Sequence, residues 1–259
     1  MKHWPYPKLV AHRGGGKLAP ENTLAGMRTA HEHGFMAVEF DVKLSADGVA
    51  MLMHDDTLER TTNGNGLFRD HTATQLATLD AGAWKDVRYQ GEPIPRLDAV
   101  MHYLASHRML ANVEIKPCHG GEAETGRAVA LLAGSLAADQ VHKPLLSSFS
   151  VAALRAATIA APSLPRALLV ERYSAADDDV LAELGCVALN CAWNSVEPVM
   201  LAHLHARGLH VMAYTVNEVV VAERLFALGV DGIFTDTLDM MAASFPSALA
   251  AQRPVLPRL

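Results

Sequence analysis

The sequence predicts an α/β protein, a (β/α)8 TIM barrel with a small inserted cap that follows a β-hairpin arm. Three observations carry this reading. In the second half, short apolar runs alternate with helical patterns at a spacing of one β/α unit. In the first half, a tight turn marks one surplus strand as antiparallel. The length of 259 residues, half of them apolar, supplies one large core; α/β barrels commonly reach about 250 residues as one unit. The chain is therefore read as a single barrel domain over residues 1–259, with a cap subregion at about 55–95.

The first strand is Leu9-Val10-Ala11-His12. A helix follows with Asn22 as its expected cap, Leu24, Met27 and His31 on one face, and Gly34 at its end. A short polar side chain at that position can accept from the orphan N–H groups of the first turn. The second strand runs from Met36 to Asp41. The turn Ser45-Ala46-Asp47-Gly48 then reverses the chain, so the run from Val49 to His54 lies antiparallel to its predecessor. Such a strand cannot be a parallel stave; it is an arm that rises above the barrel and brings His54 to the rim. Residues 55–95 replace the plain connection to the next strand, Leu110 to Lys116.

From residue 145 the pattern becomes regular. Expected caps are Ser150, Ser174, Ser195, Asn217 and Thr237, and Gly185, Gly208 and Gly229 sit where helices should stop. The strands before those caps are Leu145–Phe149, Arg166–Val170, Val187–Asn190, His210–Tyr214 and Gly232–Thr235. Such short runs fit parallel strands buried on both faces. Nine strands less the arm leave eight staves.

Composition excludes several function classes. The net charge of −6 disfavours nucleic acid or anionic lipid as the main partner. The first residues, Met1 to Pro7, lack an apolar run and do not read as a signal peptide, and the small-apolar stretch Ala128–Ala138 is too short to span a bilayer. No stable membrane anchoring is expected. Cys118, Cys186 and Cys191 are odd in number and show no CxxC spacing, which argues against a disulfide framework or zinc cluster and fits a reducing, cytoplasmic location.

In such barrels the C-terminal ends of the strands form the working face. His12-Arg13-Gly14 ends the first strand, and Glu39 and Asp41 share one face of the second. The arm ends at His54-Asp55, and the next strand carries Asn112, Glu114 and Lys116 on one face. Three carboxylates around one mouth repel each other unless compensated, and one hard divalent cation, Mg²⁺ or Ca²⁺, suits an all-oxygen donor set. With Arg13 and Lys116 included, the site then carries a net single positive charge, matched to a phosphodiester. His12 and His54 arrive from different strands as an acid/base pair. These residue types converge on metal-assisted phosphodiester cleavage.

The ordered motifs resemble those of a known family. They are His12-Arg13-Gly14, Pro20-Glu21-Asn22-Thr23, Glu39-Phe40-Asp41-Val42, Asp47-Gly48, His54-Asp55, Leu58 to Gly64 (LERTTNG), Glu114-Ile115-Lys116, Ser148-Phe149 and Tyr214-Thr215-Val216-Asn217. Together, from about Leu9 to Thr237, they resemble a glycerophosphodiester phosphodiesterase of the cytosolic bacterial type. The resemblance implies hydrolysis of glycerophosphodiesters to sn-glycerol 3-phosphate and an alcohol. It implies Glu39, Asp41 and Glu114 as metal ligands, His12 and His54 as the acid/base pair, Arg13 and Lys116 as phosphate contacts, and Tyr214 as an aromatic against the glycerol. Two departures are visible: Lys85 after Trp84, where an aromatic is usual, and Arg96 after Pro95, where a small hydroxyl residue is usual.

Simpler roles compete at several positions. Glu114 and Lys116 could form a structural ion pair, Gly14-Gly15-Gly16 reads as a turn rather than a phosphate cradle, and Glu21 and Asp236 read as helix-start residues. A membrane-docking phosphodiesterase would need an apolar rim, whereas the stretch Glu59 to Gly66 is polar. A catalytically dead barrel would be expected to lose a histidine or a carboxylate, and all five are present.

Overall fold

The computed structural model describes residues 4–138 and 142–250; the Pro-containing tail from Pro254 lies outside them. Nine strands form one sheet: β1 (Leu9–Ala11), β2 (Ala37–Leu44), β3 (Ala50–Leu52), β4 (Leu110–Ile115), β5 (Leu145–Ser148), β6 (Arg166–Val170), β7 (Ala188–Ala192), β8 (His210–Tyr214) and β9 (Gly232–Thr235). β1 pairs in parallel with both β2 and β9, which closes a ring of eight parallel strands. Helices follow the staves around the outside, as a (β/α)8 barrel requires.

β3 alone is antiparallel, with Val42 opposite Leu52 and Leu44 opposite Ala50. The reversal is held by Gly48 N–H donating to the Ser45 carbonyl and Ser45 N–H donating to the Val49 carbonyl. Gly48 adopts φ +75°, a conformation that suits glycine. Met53 N–H then donates to the Asp41 carbonyl, so the arm returns to the level of the β2 carboxylates before His54.

β2 is longer than its apolar pattern suggests and runs on through Lys43 to Leu44. Lys43 is fully buried, and its ammonium is held by Asp56 Oδ1 at 2.5 Å. That pairing lets the strand continue past Asp41, where the apolar pattern ends it.

Several expected caps are corrected. Ser150 does cap its helix by accepting from Ala153 N–H. The first helix, Leu24–Glu32, is capped by Thr23 rather than Asn22. The helix after Ser174 begins at Asp177, that after Ser195 at Pro198 and that after Asn217 at Val219, so these three precede the helix start by more than a cap position. Thr237 occupies the cap position, but its hydroxyl donates to the Asn217 carbonyl instead. Polar residues at strand–helix junctions have two employers here, the helix and the neighbouring loop.

The inserted residues build their own small apolar cluster on the arm, in which Leu58, Phe68, Leu76 and Ile94 pack against Met51 and Met53. Glu92 ties this segment to the first helix by accepting from Ala25 N–H and from Arg28. Beneath the working face, Val10, Ala37, Met212 and Phe234 form an apolar layer. Ala37 shares the β2 face with Glu39 and Asp41, so this layer underlies the carboxylates. Trp4 packs beneath it and stacks on His210 at 4.4 Å, which closes the floor. Among the described residues no helix is long and apolar enough to cross a membrane.

Candidate active site

The loop after β1 approaches its neighbours so closely that most side chains are excluded. A Cβ on Gly16 would lie 2.4 Å from the Asp236 carbonyl oxygen, and Gly16 has φ +54°. Gly16 therefore makes a tight junction between the ends of β1 and β9, while Gly14 and Gly15 pack closely against Gly26 of the first helix. Arg13 (φ +49°) and Asn22 (φ +56°) also occupy the left-handed region, which is uncommon for arginine and readily adopted by asparagine.

That junction sets His12 against Asp236, with Nδ1 2.7 Å from Oδ1. Asp236 is itself held on two sides, by Asn217 Nδ2 donating to its other oxygen and by its own N–H donating to Asn217 Oδ1. Accepting from Nδ1–H leaves the His12 Nε2 lone pair available, 3.7 Å from Glu39 Oε2. Burial opposes protonation of His12, but the Asp236 hydrogen bond and the Glu39 charge outweigh it and raise its pKa above the ordinary value.

Glu39, Asp41 and Glu114 converge, each offering an oxygen within 4.8 Å of the others. All three are buried. Burial and the Asp41 charge push Glu39 up to about 8 and Glu114 up to about 7. Asp41 goes the other way: burial opposes ionisation, but Lys116 and Arg13 hold its carboxyl below the usual range. Lys116 Nζ lies 3.0 Å from Glu114 and 3.3 Å from Asp41. Asn22 grips Asp41 from behind through both side-chain and main-chain hydrogen bonds.

Glu39 Oε1 is buried with no hydrogen-bond partner, although burying an unpaired carboxylate oxygen is costly. An orphaned oxygen beside two further carboxylates fits a hard divalent cation. The same donor set disfavours zinc, which prefers nitrogen and sulfur ligands.

Arg13 donates its main-chain N–H to Glu39 Oε2 at 3.0 Å and an Nη1 proton to Glu21 Oε1 at 2.8 Å, while Nε lies 3.5 Å from Asp41. His54 Nδ1 lies 2.6 Å from Asp55 Oδ1. Burial lowers the His54 pKa, with Asp41 opposing that shift. Tyr214 stands apart from the carboxylates in its bonding. Its hydroxyl donates to the Val170 carbonyl, and its ring meets Phe149 edge-on at 5.9 Å. Both rings line a cavity of about 420 Å³ with Glu171, Arg172 and Asn194. Of the two family departures, Arg96 pairs with Asp98 on the surface, and Lys85 lies 5.9 Å over the Trp84 ring.

The sequence places Asp236, Asn217 and Asn22 at helix starts, yet their side chains serve His12 and Asp41. Glu21, Asp55 and Arg60 form a further charged set beside the site. The available signal was positional: Asp236 directly follows the end of β9, and Asp55 directly follows His54.

Residues 12–240 match the glycerophosphoryl diester phosphodiesterase family. The chain belongs to that family. It is 32% identical to a glycerophosphodiester phosphodiesterase of Caldanaerobacter subterraneus subsp. tengcongensis, over 88% of this chain and 93% of the relative. It superposes with a TM-score of 0.88 and 34% identity on an Oleispira antarctica phosphodiesterase in complex with the product sn-glycerol-3-phosphate, covering 93% of this chain and 97% of the other. A glycerophosphodiester phosphodiesterase from Agrobacterium tumefaciens gives a TM-score of 0.77 at 32% identity, over 92% of this chain and 99% of the other. Membership therefore spans the barrel and the inserted segment together.

Proposed function

We propose that the protein hydrolyses glycerophosphodiesters to sn-glycerol 3-phosphate and an alcohol. The observation that carries this reading is the meeting of three buried carboxylates, two cations and two Asp-supported histidines at one barrel mouth. The substrate is a small molecule, and the work is done in the cytoplasm.

Glu39, Asp41 and Glu114 would hold one Mg²⁺ or Ca²⁺, which when bound supplies Lewis-acid stabilisation of charge on the phosphoryl oxygens. Arg13 and Lys116 bind the phosphate by charge-assisted hydrogen bonds. His12 and His54 handle the two protons of the reaction, one from the attacking hydroxyl and one to the departing alkoxide. Their aspartates fix the rings so that Nε2 faces the substrate. Tyr214 packs against the glycerol, and its hydroxyl bond to Val170 keeps the ring in place.

The test is release of sn-glycerol 3-phosphate from glycerophosphocholine, read by a coupled assay. Chelation should abolish release, and either Mg²⁺ or Ca²⁺ should restore it. Full activity after verified metal removal would rule out the metal-assisted route.

A further inference from the structure

The inserted segment enters this network through Asp55 and Arg60, and Arg60 is the side chain that ties its members together. Its guanidinium grips two carboxylates at once. Nη1 and Nη2 donate to the two oxygens of Glu21 at 2.8 Å each, while Nε and Nη2 donate to Asp55 at 2.5 and 3.1 Å. Each carboxylate has a second task. Glu21 Oε1 also accepts from Arg13, and Asp55 Oδ1 also meets His54 Nδ1. Charges therefore alternate without a break along Lys116, Asp41, Arg13, Glu21, Arg60 and Asp55, and Asp55 in turn meets the His54 ring.

We propose that Arg60 is a positioning residue for the phosphodiester hydrolysis proposed above: its double fork holds Asp55 behind His54 and Glu21 behind Arg13. This inference rests on that functional reading. A guanidinium presents its donors in a fixed plane, so two bidentate pairs fix the angle between the carboxylates as well as their distance. Without it, Glu21 and Asp55 would stand as two neighbouring anions with no cation between them. Repulsion would swing Asp55 away from His54 and leave Arg13 with a mobile partner. The Arg60 hydrogen bonds already hold the Asp55 carboxyl well below its usual range, and they lower Glu21 against the effect of burial.

A purely structural role predicts a different result. The Arg60 side chain is 45% exposed, and an exposed ion pair adds little to stability. The cost of losing it should therefore appear in catalysis, since misplacing a reacting group by about 1 Å can cost up to about 100-fold in rate.

The experiment compares wild type, Arg60→Ala and Arg60→Lys on glycerophosphocholine, with Arg88→Ala as a control from the same segment. Arg60→Ala should lower kcat by about 10- to 100-fold, with a smaller change in KM and a Tm within a few degrees of wild type. Methylguanidine should restore part of the lost kcat in Arg60→Ala and none in Arg88→Ala. Arg60→Lys, with the charge but no fork, should fall between the two parents. The inference is overturned if Arg60→Ala keeps kcat within about threefold of wild type, or if a folded Arg60→Ala is impaired and does not respond to methylguanidine. An inactive wild type would instead count against the functional reading.

Discussion

At the scale of single residues, both histidines are defined by what stands behind them. His12 leans on Asp236, and Asp236 is clamped by Asn217 through a donor and an acceptor. An asparagine at 236 cannot satisfy both neighbours. With its oxygen toward His12, its NH2 faces the NH2 of Asn217; flipped, it offers a donor to His12 Nδ1 and selects the other tautomer. Asp236→Asn should therefore lower kcat by about 10- to 100-fold, and the loss of a neighbouring charge should move the His12 limb of the pH–rate profile to lower pH. An unchanged profile in a folded variant would disconnect Asp236 from His12. His12→Ala and His54→Ala should each cost at least about 100-fold in kcat; near-normal turnover in either removes that histidine from the reaction. The convergence of Glu39, Asp41 and Glu114 was legible because alternate positions of a strand share a face, so two carboxylates on β2 and one on β4 could be placed at one mouth. The supporting Asp and Asn residues were not, because an Asx residue between strand and helix serves equally well as a cap. Only the partner at the end of the neighbouring strand decides between those uses.

At the scale of elements, the arm was legible because its turn chemistry was unambiguous, whereas the end of β2 was not. The sequence pattern ends the strand at Asp41, and nothing local reveals that Asp56, thirteen residues beyond Lys43, neutralises that buried lysine. The loop after β1 was also not legible in full. Its glycines suggested a simple turn, while the structure makes it the contact that brings His12 to Asp236. Gly16→Ala tests this at its tightest point. The added methyl would meet backbone atoms of Asp236, including Cα at 2.6 Å, and a backbone cannot step aside like a flexible side chain. The left-handed φ adds a further cost for a non-glycine residue. Unfolding in urea should show a loss of about 2–4 kcal/mol, with kcat reduced in the fraction that remains folded. Stability within about 0.5 kcal/mol of wild type would mean that the junction has room to spare.

At the scale of the whole molecule, a protein with a net charge of −6 buries three carboxylates together, which couples its stability to pH and would couple it to any cation they hold. In the metal-free protein Glu39 is pushed up to about 8 and Glu114 to about 7 by burial and by Asp41. The unfolded chain releases those protons near the ordinary glutamate value of about 4.3. Between that value and about pH 8 the native state holds more protons than the unfolded state, so stability falls as pH rises. The raised pKa of His12 adds to this trend at its upper end, while the lowered pKa of His54 opposes it just below the ordinary histidine value. A divalent cation held by these carboxylates would reverse the outcome, because it would bind their deprotonated form and displace the protons. Its stabilisation must therefore grow with pH. At a concentration of about 100 Kd the increment is about 2.7 kcal/mol, or roughly 5–10 °C in Tm for a domain of this size. Thermal melts of chelator-treated protein should show Tm falling from about pH 5.5 to about pH 8. Added Mg²⁺ or Ca²⁺ should raise Tm more at the higher pH. A metal increment that is absent at about pH 8, or larger at about pH 5.5, contradicts the linkage. It would also show that these carboxylates do not hold the ion, since buried protons and a bound cation must compete for the same oxygens.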